Sequence, residues 1–145
     1  MSRHFELTEE SKINDFGVKL FRIRAVENTK YVMAGELGGW VESKNNLADN
    51  AWIYGNAEVF GDAIVFGDAK IFENAKIYGN AKVSNKVEVC GNVKVYGDAE
   101  IYGNAKLYGN AKIFDSAEVY DNARVFGNIE ISGESVVCGN VDAYS

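Results

Sequence analysis

The chain has 145 residues but no proline, one histidine, two cysteines, and no threonine other than Thr8 and Thr29. The cysteines, Cys90 and Cys138, lack a CxxC or any other ligand spacing, which excludes a structural zinc site and a disulfide scaffold. A lone histidine, His4, cannot furnish a three-histidine metal centre. No segment approaches the ~20 apolar residues of a membrane-spanning helix, so no membrane partner is expected. The residues after Met1-Ser2-Arg3-His4 do not form an apolar signal segment, and the expected location is the cytoplasm. Positive charge is also short, with 15 basic against 21 acidic side chains, net −6. That balance argues against a nucleic-acid partner, because phosphate binding rests on positive charge. What remains is enough to fold: 47% of residues are hydrophobic, so a core can be buried. Fifteen glycines without a proline is an unusual pairing, and it points to one specific job for glycine.

That job lies in a repeat. From Leu47 onward the chain repeats every six residues, as in Ile53-Tyr-Gly-Asn-Ala-Glu58 and Val65-Phe-Gly-Asp-Ala-Lys70. Position one is aliphatic in all sixteen complete units, and position five is Ala in eleven. Position three is Gly in eleven and position four Asn or Asp in thirteen. Side chains alternate across a strand, so positions five and one face one way while six and two face the other. Gly-Asn then turns the corner, since both residues tolerate positive φ. Strands this short suit a coil of three strands and three corners, 18 residues to the turn. Proline would remove ladder donors and is excluded for that reason.

The pattern resembles the hexapeptide repeat of left-handed parallel β-helix proteins over residues 47–145. The resemblance implies an all-β, single-stranded, left-handed parallel β-helix shaped as a triangular prism. Residues 1–46 do not repeat and read as a small N-terminal β cap, with Trp40 and Trp52 packed where cap meets coil. The order Arg22-Ile-Arg-Ala, Ala34-Gly-Glu-Leu-Gly-Gly-Trp-Val and Tyr54-Gly-Asn-Ala is similar to phage and bacterial hexapeptide-repeat proteins labelled acetyltransferase-like or polymer-forming. Enzymes of this fold class are mostly acyltransferases with a histidine base and a loop ejected from the coil. Residues 47–145 hold no histidine and never break the six-residue phase, so no catalytic residue, cofactor or metal is expected. His4 is expected to be solvated at the terminus, and could act only if a neighbouring chain presented it. Ice-binding coils present threonine ladders, which this sequence lacks.

Sorting outward residues at intervals of 18 gives three faces. One stacks Phe60, Tyr78, Tyr96 and Phe114 beside Lys76, Lys94 and Lys112, and these seven residues form the candidate protein-binding surface. Another carries Cys90, and the third Cys138, so no disulfide joins them. Asn56, Asn74, Asn92, Asn110 and Asn128 share one corner column, where their amides are expected to bond up the stack. The acidic excess belongs to the coil, with 14 acidic against eight basic residues, while residues 1–46 are neutral. The repeat runs to Tyr144-Ser145, so Val137, Cys138, Val141 and Tyr144 form a candidate oligomer end. The sequence therefore points to a non-enzymatic, self-associating, protein-binding solenoid, a homodimer or homotrimer. Two alternatives stand beside it. One is a phage-type inhibitor of a host defence enzyme, acting by acidic mimicry or surface blocking. The other is a degenerate acyltransferase.

Overall fold

A computed structural model describes residues 3–145 as an all-β solenoid. Three longer strands come first: β1 (Phe5–Ile13), β2 (Lys19–Ala25) and β3 (Leu37–Val41). β1 and β2 form an antiparallel hairpin. The Asn14 side chain closes its tip, its Oδ1 accepting from the backbone N–H of Phe16 (2.9 Å) and Val18 (3.0 Å). β2 also pairs antiparallel with β3. On its other edge β3 pairs parallel with the coil, Trp40 opposite Glu58 and Val41 opposite Val59. Parallel pairing thus begins upstream of Leu47, and β3 belongs to cap and coil at once. Gly38 and Gly39 let it lie that close. A Cβ on Gly38 would stand 2.6 Å from the Ile53 carbonyl oxygen, and one on Gly39 would stand 2.5 Å from Ile53 Cγ2.

Sixteen two-residue rungs follow, from Trp52–Ile53 to Asp142–Ala143, wound three to a turn and paired in parallel at intervals of 18. The lysine face continues β3 through Glu58–Val59, Lys76–Ile77, Lys94–Val95, Lys112–Ile113 and Glu130–Ile131. The mixed face runs from Trp52–Ile53 through Lys70–Ile71, Glu88–Val89, Lys106–Leu107 and Arg124–Val125 to Asp142–Ala143. The glutamate face holds Ile64–Val65, Lys82–Val83, Glu100–Ile101, Glu118–Val119 and Val136–Val137. Every position-one aliphatic from Leu47 to Val125 is fully buried, as are the Ala and Val residues at position five from Ala51 to Ala123. At roughly 1.5–3 kcal/mol per buried aliphatic, this column is the main stabilising term.

The corners show what glycine does. Position three has φ near +60° to +77° at its glycines, and the five non-glycine residues with positive φ, Asp49, Glu73, Asn85, Asp115 and Asp121, occupy the same position. Four of these carry a carboxylate that accepts from the backbone N–H one turn further on: Gly67 to Asp49 (2.9 Å), Gly91 to Glu73 (3.1 Å), Gly133 to Asp115 (2.9 Å) and Gly139 to Asp121 (3.1 Å). Each such bond offsets the cost of left-handed backbone at a residue with a Cβ.

The first corner is different. A 3₁₀ turn, Lys44–Asn46, brings the Asn46 side chain inside. Its Oδ1 accepts from the Glu42 and Ser43 N–H groups, and its Nδ2 donates to the Gly61 and Ala63 carbonyls. One buried amide uses all its hydrogen-bonding capacity to seat the first turn on the second.

Candidate interaction faces

The four rings of the lysine face stack as their spacing predicts. Centroids are 5.0 Å apart at each step from Phe60 through Tyr78 and Tyr96 to Phe114, with planes within 5° of parallel. Ring faces therefore meet one another, while ring edges and phenolic hydroxyls point outward. Between successive rings from Phe60 to Phe114 no ring face is left on which a nucleic-acid base could stack.

The upper part of this ladder is already occupied. Phe16, at the hairpin tip, lies 5.4 Å from the Phe60 ring and 4.8 Å from the Tyr78 ring. Leu20 and Trp40 join Phe60 in a small buried cluster, leaving Phe60 only 4% exposed. Glu58, which heads the charged column, is buried as well, its Oε2 2.9 Å from Lys12 Nζ and its Oε1 accepting from Asn14 Nδ2 at 3.1 Å. Lys12 and Arg22 lie over the Trp40 ring at 4.5 Å and 4.7 Å. Burial pushes the Tyr78 phenol up to about 12, with Tyr96 beside it adding to the shift. Below the hairpin, Tyr96 and Phe114 are half-buried by their neighbours alone. Lys76, Lys94 and Lys112 stand in register beside the rings, and among the described residues none forms an ion pair.

The other faces carry shorter ladders. Tyr102 and Tyr120 stack at 4.8 Å on the glutamate face, and the Tyr102 hydroxyl donates to Glu118 at 3.3 Å. On the mixed face Tyr54 stacks on Phe72, and Tyr108, Phe126 and Tyr144 form a second run, with Cys90 at the intervening position. Cys90 and Cys138 are free thiols on different sheets. Arg124 pairs with Asp142 through two bonds of 2.8 Å and 3.0 Å.

The expected asparagine ladder is largely absent. Asn56, Asn74, Asn92, Asn110 and Asn128 do share a corner column, yet among the described residues only Asn92 bonds to its neighbour, donating to Asn110 Oδ1 at 3.2 Å. These amides are exposed to water, and the backbone supplies the bonds between turns, as in Asn74 N–H to the Gly91 carbonyl at 3.0 Å. At the C-terminal end of the described coil, Val137 and Cys138 are half-buried, while Val141 (48%) and Tyr144 (64%) are exposed.

His4 is not solvated. It is 6% exposed, with Nε2 2.9 Å from the Ala51 carbonyl oxygen and its ring packed on Phe5 and Trp52. Nε2 is the donor in that bond. Beside it lies a cleft of about 190 Å³ lined by Arg3, Glu27 and Asp49. The hairpin contacts through Lys12, Asn14 and Phe16 carry no periodic signature. The first unit does give a local sign of cover, since apolar Trp52 occupies outward position six, where most units place charge, and it is buried beneath His4. Among the described residues no helix is long and apolar enough to cross a membrane, and no cluster of His, Cys, Asp and Glu is arranged to hold a metal. Comparison of the sequence with protein-family models and with curated proteins returns no match.

Proposed function

We propose that this chain is a non-enzymatic, self-associating solenoid that binds protein through its lateral faces. The observation that carries the reading is the docked hairpin. A polypeptide segment lies on the aromatic ladder with Phe16 against Phe60 and Tyr78, and Lys12 and Asn14 engage the charged column at Glu58. The same ladder continues past the hairpin through Tyr96 and Phe114. The face thus holds polypeptide by combining ring contacts with a flanking charge, and further along the coil the rings continue with lysine in place of Glu58 as the flanking charge.

Two features weigh against the alternatives. Asp49, Glu73, Asp115 and Asp121 cap backbone N–H groups, so part of the acidic excess serves the corners instead of imitating a polyanion. His4 spends Nε2 on the Ala51 carbonyl, a structural seat that competes with service as an acyl-transfer base. A left-handed hexapeptide-repeat kinship, a phage origin and a cytoplasmic location accompany this reading as proposals. Light scattering of the full chain tests it. Mass above the 15.9 kDa monomer that rises with concentration supports it, and a monomer at every micromolar concentration overturns it. Saturable acetyl-CoA binding in calorimetry would overturn the non-enzymatic part.

A further inference from the structure

Two columns of like charge stand on this molecule. On the lysine face Lys76, Lys94 and Lys112 are stacked in register, and on the glutamate face Glu100 and Glu118 are stacked likewise. Like charges on adjacent strands are destabilising. Lys82 stands beside Glu100, and Glu58 and Glu130 flank the lysines, but among the described residues none of these neighbours closes to an ion pair with its column, and Lys94 and Glu118 have no opposite charge next in register. From this we infer that the columns are the two halves of one contact. The lysine face of one copy lies on the glutamate face of a second copy, with the coil axes antiparallel. The inference rests on the self-association proposed above and assigns its interface.

The repeat geometry selects both occupant and orientation. Reversing one coil makes strands run in the same direction across the contact, so position six meets position six and position two meets position two. With Lys94 opposite Glu118 of the second copy, the shared 18-residue spacing sets every other pair. Lys112 meets Glu100, Glu130 meets Lys82, and Lys76 meets the uncharged Val136. Between these pairs, Tyr96 meets Tyr120 and Phe114 meets Tyr102. No like charges oppose each other. The parallel arrangement that pairs Lys94 with Glu100 instead sets Lys76 against Lys82.

Spacing also favours a second coil over other acidic partners. Turns on this face repeat at 5.0 Å, the separation of the stacked rings. Same-side residues of an extended peptide recur at roughly 6.6–6.8 Å, and phosphates at ~3.4 Å along each strand of a duplex. Another turn of this coil matches the repeat at every step. Because the contact joins two different faces, each added copy leaves one of each unfilled, and assembly continues past the dimer.

The test uses two charge-reversed full-length chains, Lys94→Glu/Lys112→Glu and Glu100→Lys/Glu118→Lys, each checked for wild-type circular dichroism. In sedimentation the wild type should form species larger than a dimer, and added salt should weaken them. Each variant alone should lose association on the order of tenfold or more. Mixing the two should restore assembly, since each then finds the opposite charge on the other. A wild type that associates while both variants do so equally, a mixture that stays apart, or an assembly that stops at two overturns the interface alone. A wild type that is monomeric throughout overturns the interface and the self-association together.

Discussion

Lys12 Nζ lies 2.9 Å from Glu58 Oε2, joining the hairpin to the first turn of the charged column. The Glu58 side chain is 7% exposed and that of Lys12 34%, so the carboxylate is the more committed partner. Removing Lys12 leaves a buried carboxylate with Asn14 as its one remaining side-chain partner among the described residues. Lys12→Ala is therefore expected to destabilise the fold by about 1–3 kcal/mol, as read by denaturant unfolding. Lys12→Ala/Glu58→Gln should recover part of that loss, because the neutral amide needs no counter-charge. A double variant no more stable than Lys12→Ala would show that the pair contributes little.

The corner glycines separate two physical requirements. Gly55 and Gly79 both have positive φ, +59° and +69°, but a Cβ on Gly55 meets nothing within 4 Å, while one on Gly79 stands 2.9 Å from Gly97 N. Gly55→Ala should thus cost about 1 kcal/mol, the conformational term alone. Gly79→Ala adds a collision with backbone that cannot move without disturbing the next turn, for roughly 2–4 kcal/mol in all. Thermal unfolding of the two variants should show the larger loss at Gly79. Equal losses would mean that φ alone demands glycine at this position.

These corners also show why some of the molecule was legible in the sequence and some was not. Position one, position five and the glycine corner follow from local stereochemistry repeated sixteen times, so Ile77, Ala75 and Gly79 could be assigned from spacing. The columns of 18 placed Tyr78 against Tyr96 for the same reason. Contacts made once have no such signal. Nothing local to Asn46 says that its amide will bond both Gly61 and Ala63, and nothing at His4 points to Ala51, 47 residues away. The asparagine ladder failed for a different reason. Periodicity places Asn56, Asn74 and Asn92 in one column, but water competes for exposed amides while the backbone already holds the turns together.

The Tyr78 phenol offers a titration that reports on the ladder itself. Its folded pKa is pushed up to about 12, chiefly by burial and then by Tyr96, against an ordinary value of 10.0. A raised folded pKa means that the unfolded chain gives up its proton first. The contribution to stability is accordingly complete below pH 10, and it is lost as pH rises from about 10 through about 12. Tyr78→Phe removes the titrating hydroxyl and keeps the stacked ring between Phe60 and Tyr96. Its unfolding free energy should fall less steeply than that of the wild type across that window, and tyrosinate absorbance should lose its latest-titrating component. Truncating Phe16 to Ala uncovers one side of the Tyr78 ring and should bring that component back toward 10 without abolishing it. If Phe16→Ala leaves the titration unmoved, the hairpin tip is not what shields Tyr78, and the docked segment loses its standing as the pattern for binding further along the face.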